Sequence, residues 1–97
     1  MTCQVLLEFR AKEDCIEKLR SWFKDILPDT RGFEGCVSLH VVQNQDDAQN
    51  LVIVEQWDTR QHYEKYMEWR TERGDLETLS AMFDGDPSFR FFDFFGV

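Results

Sequence analysis

A chain of 97 residues with 42% hydrophobic, 14% aromatic and 31% charged side chains has enough apolar material for one modest core, which excludes intrinsic disorder and leaves little room for a second domain. Nineteen acidic against eleven basic side chains give a net charge of −8, and no Lys or Arg lies between Gly32 and Thr59, so nucleic acid and anionic membrane surfaces are excluded as partners. Cys3, Cys15 and Cys36 form an odd set without CxxC spacing, the N-terminus lacks a signal-peptide pattern, and no apolar run approaches the roughly twenty residues of a membrane helix; the expectation is a reduced, cytoplasmic protein with a single domain over residues 1–97.

Cys3 to Arg10 alternates Cys3, Val5, Leu7 and Phe9 with Gln4, Leu6, Glu8 and Arg10, which predicts a strand. From Asp14 the period changes. Cys15, Ile16, Leu19, Trp22, Phe23, Ile26 and Leu27 recur at three and four residues, as on an amphipathic helix, with Asp14 and Glu17 spaced as a capping box and Pro28 as the predicted stop. Gly32, Phe33 and Gly35 form a short connection, with Phe33 expected to plug one end of the core. Cys36 to Gln45 predicts a second strand, with Cys36, Ser38, His40 and Val42 on one face and Val37, Leu39, Val41 and Gln43 on the other. Asn44 to Asn50 is polar and predicts a turn, so that the next strand begins at Leu51 and ends at Trp57.

Asp58 or Thr59 offers a helix cap, and His62, Tyr66 and Trp69 lie in one stripe beside Tyr63 and Met67. Gly74 predicts a break and Asp75 a restart, with Leu76, Leu79, Met82 and Phe83 on one side. Ser88 to Val97 predicts a last strand holding Phe89, Phe91, Phe92, Phe94 and Phe95. The order strand, helix, strand, strand, helix pair, strand is the α+β, ferredoxin-like βαββαβ arrangement, one antiparallel sheet with helices on one face. The other sheet face and the Phe-rich last strand are also apolar, so the expected partner is a second copy docked through them as a homodimer.

Gly35-Cys36-Val37-Ser38-Leu39, and then Leu51-Val52-Ile53-Val54-Glu55-Gln56-Trp57-Asp58-Thr59-Arg60 with an aromatic at Tyr63, resemble the antibiotic biosynthesis monooxygenase family of dimeric α+β barrels. The resemblance spans nearly the whole chain. It implies a homodimer with a pocket between sheet and helices in each subunit. Some members oxidise polycyclic phenols or quinols with molecular oxygen and no metal, flavin or haem, the substrate anion supplying the electrons, while others degrade haem. The positions that hold haem in that branch correspond here to Leu6, Tyr66 and the stretch near Leu76, none with the needed chemistry, so the resemblance implies no cofactor and no metal. Many members carry His where this chain has Tyr66.

The residues that gather at the third strand and the helix after it are the site candidates. His62 is a histidine one turn before Tyr66 and can take a phenolic proton, and Tyr66 can hydrogen-bond a substrate oxygen; these are the catalytic candidates. Trp57, Tyr63 and Trp69 can line a flat aromatic ligand, and Glu55, a carboxylate inside a strand, completes the substrate-binding set. Each has a packing alternative: Trp57, Tyr66 and Trp69 as core aromatics, His62 as a solvated first-turn residue, and Glu55 as an ion-pair partner of Arg10 or Arg60. Two functions follow, a cofactor-independent monooxygenase for an aromatic phenol or quinol, or a non-catalytic dimeric module that binds a small ligand or serves as an accessory subunit.

Overall fold

A computed structural model describes residues 2–97. Strand β1 (Cys3–Arg10) is followed by a short 3-10 turn over Glu13–Cys15, helix α1 (Ile16–Arg31), strands β2 (Cys36–Asn44) and β3 (Asp47–Trp57), helices α2 (Arg60–Glu72) and α3 (Asp75–Ser80), and strand β4 (Ser88–Asp93). The strands form one antiparallel sheet in the order β2-β3-β1-β4, the ferredoxin-like topology. No helix among the described residues is long and apolar enough to cross a membrane.

Alternation decides which side chains meet the helices. Val5, Leu7 and Phe9 on β1 and Leu51, Ile53, Glu55 and Trp57 on β3 face them and are buried, while Leu6, Val52 and Val54 are only half-buried on the outer face. Beneath the helices lie two clusters. An aliphatic one joins Leu7, Phe9, Leu19, Phe23, Leu27, Ile53, Leu79, Met82 and Phe83, with the Phe9 and Phe83 rings stacked at 4.4 Å. An aromatic one joins Trp57, Tyr63 and Tyr66 with the half-buried Phe33, Trp69 and Phe91. Phe33 sits 5.3 Å from the rings of both Tyr66 and Trp69, closing the end of the core as expected.

Four boundaries differ from the sequence reading. Helix α1 begins without a side-chain cap, since no cap hydrogen bond forms from Cys15 or from Lys12 ahead of the 3-10 turn, and the helix runs through Pro28 to Arg31. Proline removes one helical donor, but Thr30 in that last turn is fully buried and hydrogen-bonded to Tyr66 and Arg70, so tertiary contacts hold a turn that local preference would end. The β2–β3 turn is only Gln45 and Asp46, and β3 starts at Asp47. Its polar arms are zipped by Asn44 to Asn50 and Gln43 to Ala48 hydrogen bonds and by Arg10 bonded to Asp47 and Gln49. A register shift between Cys36 and Ser38 turns Cys36 to the same side as Leu39, against simple alternation. Strand β4 ends at Asp93, leaving Phe94, Phe95 and Val97 exposed beyond it.

Thr59 caps α2 by accepting a hydrogen bond from the His62 backbone N–H at 3.1 Å, and Gly74, at φ +81°, divides α2 from α3. Gly35 is held by a close approach. At φ +91°, a Cβ there would fall on the His62 ring. Gly35→Ala is expected to destabilise the protein by about 3 kcal/mol through backbone strain and overlap. In urea unfolding, His62→Gly, which removes both the ring and the Cβ that the new methyl meets, should recover the overlap but not the strain of roughly 1 kcal/mol, whereas equal costs of Gly35→Ala in both backgrounds would refute the contact.

Candidate functional site

Between the two clusters lies a narrow cleft of about 40 Å³. Its floor is Leu7, Leu39, Ile53 and Glu55, its roof Tyr63, Tyr66, Met67 and Arg70 of α2, and its outer wall Trp22, Leu76 and Leu79. The strand supplies Glu55 because it falls in phase with Ile53 and Trp57, facing Val5 and Leu39 on the neighbouring strands. Its side chain is 3% exposed. One carboxylate oxygen accepts a hydrogen bond from the Trp57 indole N–H at 3.1 Å, and none of the ion pairs among the described residues involves Glu55. Arg10 pairs with Asp47 and Asp84, while Arg60 pairs with Glu64 and covers the Phe91 ring, so the expected ion pair with either arginine does not form. Burial pushes the Glu55 pKa up to about 7, the Trp57 hydrogen bond opposing it only in part.

Three further polar groups meet the cleft. The Tyr63 hydroxyl is buried and is the one buried side-chain N or O atom among the described residues without a hydrogen-bond partner; burial, and then the nearby Glu55, push its pKa up. The Tyr66 hydroxyl is engaged, 2.7 Å from the Thr30 hydroxyl and accepting from Arg70 Nε at 3.0 Å. The Arg70 side chain, 2% exposed, also donates to Asp75 at 2.8 Å, to the Ile26 carbonyl at 2.8 Å and to Thr30 at 2.9 Å, and its guanidinium lies 4.6 Å from the Trp69 ring. Burial alone would lower the Arg70 pKa, but the hydrogen bonds to Tyr66 and Asp75 outweigh it.

The cleft thus gathers Glu55, Tyr63 and Tyr66, with Trp57 behind Glu55 as its donor. His62 and Trp69 are not among its lining residues. The His62 ring is 2.7 Å from the Thr59 hydroxyl and over Gly35, and Trp69 packs against Phe33 and Arg73. What this geometry offers is a carboxyl that is half ionised near neutral pH, an uncommitted hydroxyl beside it and a fixed cation deeper in the wall. Among the described residues no cluster of three or more His, Cys, Asp or Glu side chains is placed to hold a metal ion.

The family model for antibiotic biosynthesis monooxygenases matches residues 3–71. The chain belongs to that family. Solved structures also superpose on it closely. A conserved protein from Methanosarcina mazei Go1 gives a TM-score of 0.87 at 16% identity, covering 95% of this chain and 91% of its own. A crystal structure described as an antibiotic biosynthesis monooxygenase gives 0.84 at 16% identity, over 94% and 96%. Rv0793 from Mycobacterium tuberculosis gives 0.71 at 18% identity, over 96% and 94%. Likeness at that identity concerns the fold. Among curated proteins none matches the sequence.

Arg70 and Asp75 are the polar cleft residues that the sequence reading did not place at the site. The buried stripe of α2 is Tyr63, Tyr66 and Arg70, not His62, Tyr66 and Trp69. An Arg four residues after Tyr66 on the same face, with Asp75 just past the Gly74 break, was the available signal.

Truncating Arg70 leaves Asp75 with Arg73 alone, leaves Tyr66 and Thr30 with only each other, and takes the side-chain donor from the Ile26 carbonyl. Arg70→Met is expected to lose about 3–5 kcal/mol in chemical denaturation, and Arg70→Lys most of that, because an ammonium cannot serve four acceptors in one plane. For Glu55, a carboxyl whose pKa is higher folded than unfolded stabilises the fold below the ordinary value near 4.5, and that contribution is lost as pH rises to about 7. The loss amounts to roughly 3 kcal/mol. Glu55→Gln should remove it, so the difference in unfolding free energy between variant and wild type should shift in favour of the variant across that window; a constant difference would show that Glu55 does not titrate in the core.

Proposed function

We propose that this member of the antibiotic biosynthesis monooxygenase family is a cofactor-independent monooxygenase, oxidising an aromatic or polycyclic phenol or quinol with molecular oxygen and acting as a homodimer. The observation that carries this reading is Glu55, a buried carboxyl with a pKa near 7 on the floor of a cleft that it shares with the unpartnered Tyr63 hydroxyl. The ionised Glu55 accepts the phenolic proton. The Tyr63 hydroxyl donates to the resulting oxyanion, and the low dielectric of the cleft makes that bond stronger than in water. An electron-rich ring carbon that still bears hydrogen, ortho or para to the oxyanion, then donates electrons to dioxygen and forms a carbon–oxygen bond. Loss of water from the hydroperoxide leaves a quinone, so one phenol and one O2 give one quinone and one water, with every electron drawn from the substrate.

The closed cleft, about 40 Å³, has room for a guest the size of water or dioxygen. A ring enters when the half-buried Trp22, Met67 and Leu76 on its open side swing away, and their return excludes water from the oxyanion. The homodimer joins the outer sheet faces, which carry Val42 on β2, Val52 and Val54 on β3, Leu6 on β1 and Phe92 on β4.

Oxygen uptake with a panel of naphthols and hydroquinones tests the reaction. Wild type should consume one O2 per quinone formed, with a rate that rises through pH 7, and Glu55→Gln should lose about 10²–10⁴-fold in kcat. An equal loss in His62→Ala with Glu55→Gln active would return the proton-acceptor role to His62, and no uptake above buffer would sink the proposal. The second reading, a non-catalytic dimeric ligand-binding or accessory module, draws on the close packing of Trp57, Tyr63 and Tyr66, whose ring centroids are 5.0 to 6.2 Å apart. It predicts saturable binding of the same phenols with no oxygen consumed.

A further inference from the structure

A larger cavity lies at the other end of the helix layer. Helix α1 approaches the sheet most closely at the edge strand β2, and towards the hairpin the two stand apart. The groove between them has a volume of about 270 Å³. Leu19, Phe23, Leu27 and Leu51 form its buried floor, with Ile16 and Val41 half-buried at the sides. Arg20, Lys24 and Arg31 stand along its rim with Gln43 opposite.

The charge on this groove is opposite to that of the molecule. Acidic residues outnumber basic ones nineteen to eleven in the sequence, yet three of the ten lining residues are cationic and none is acidic. Arg20 is matched by Glu17 through two hydrogen bonds, of 3.0 and 3.3 Å. Arg31 spends one N–H on the Leu39 carbonyl at 3.3 Å, and Lys24 takes part in none of the ion pairs among the described residues. Lys24 and Arg31 are therefore the rim cations that hold no ion pair among the described residues, although Lys24 lies near enough to Glu17 to help lower its pKa. An apolar trough with two such cations on its rim is complementary to a molecule with an apolar body and one anionic head. The small volume suits a short body, and the absence of a phosphate-cradling run of backbone N–H groups disfavours a bare inorganic anion.

We propose that the groove between α1 and β2 is a binding site for a small amphipathic organic anion, a short aliphatic or aryl carboxylate, with its body on Leu19, Phe23, Val41 and Leu51 and its carboxylate between Lys24 and Arg31. The site is separate from the Glu55 cleft. Phe23 and Leu27 form a wall common to the two, so an occupant of the groove lies one side chain away from the cleft.

Octanoate is the probe, titrated into the full chain and followed by calorimetry and by methyl NMR shifts, with octanol and inorganic phosphate as controls. Saturable octanoate binding should move the methyls of Leu19, Val41 and Leu51, and octanol should bind more weakly. Lys24→Glu combined with Gln43→Glu, both at exposed positions, should weaken octanoate about tenfold without lowering thermal stability. Shifts centred on Leu39, Leu76 and Leu79 would assign the anion to the cleft and overturn the proposal. So would an affinity unchanged in the double variant, no saturation at millimolar octanoate, or phosphate binding as tightly as octanoate. An affinity that falls as protein concentration rises would show a second copy covering the groove, and would equally overturn it.

Discussion

The guanidinium of Arg70 is what the helix layer depends on. An ion removed from water carries a penalty of several kcal/mol unless its donors are matched, and here four of the five N–H groups are: by Asp75 on α3, the Ile26 carbonyl and Thr30 on α1, and Tyr66 on its own helix. Because those acceptors belong to three helices, satisfying the charge fixes the three relative to one another. The last turn of α1 survives a proline for the same reason, since Thr30 is needed by both Arg70 and Tyr66. The ion pair with Asp75 also sets α3 immediately after the Gly74 break, which places Leu76 and Leu79 on the wall of the cleft.

That clamp has a chemical consequence. It uses the Tyr66 hydroxyl completely, so the only phenol in the roof still free to bond a guest is Tyr63. Tyr66 then acts through position, holding the rings of Phe33 and Trp57 at 5.3 and 5.0 Å and keeping the aromatic cluster apart from the aliphatic one. The cleft is the seam between two cores that pack differently, and Glu55 lies on its floor because strand phase puts it there. A hydrophobic side chain at that position would pack against Ile53, Leu39 and Tyr63 without the cost of a buried carboxyl.

The fold was legible because each element carried its own period. Cys3 to Arg10 alternates, the α1 stripe repeats at three and four, and Gly74 breaks a helix where the structure breaks it. What was not legible came from contacts between elements distant in sequence. Pro28 reads as a stop until Thr30 is seen bonded to a helix thirty-six residues on. Asn44 to Asn50 reads as a loop until its side chains are seen to zip a two-residue turn. Cys36 reads as facing away from Leu39 until the register shift turns it inward. At the site, the sequence picked out Glu55, Trp57, Tyr63 and Tyr66 as neighbours, yet it could not show which hydroxyl was free or that Glu55 had no cation. Arg70 escaped notice because an arginine on a helix is ordinarily a solvated residue.

Glu55 and His62 illustrate why titration range alone is a poor guide to a proton acceptor. Histidine has the convenient intrinsic pKa, but this one is tied to Thr59 at a helix cap and packed over Gly35, on the flank of the helix. Glutamate has an inconvenient one, and burial moves it to about 7 where it faces the cleft. Ionising Glu55 in the empty cleft places an unpaired charge in the core, which weakens the fold over the same pH range in which the base becomes competent. A phenol that gives its proton to that carboxylate removes the charge and replaces it with an oxyanion facing the Tyr63 hydroxyl. In the proposed reaction, substrate binding therefore relieves an electrostatic strain that the empty protein carries near neutral pH, so phenol affinity and folding stability should be linked through the same ionisation.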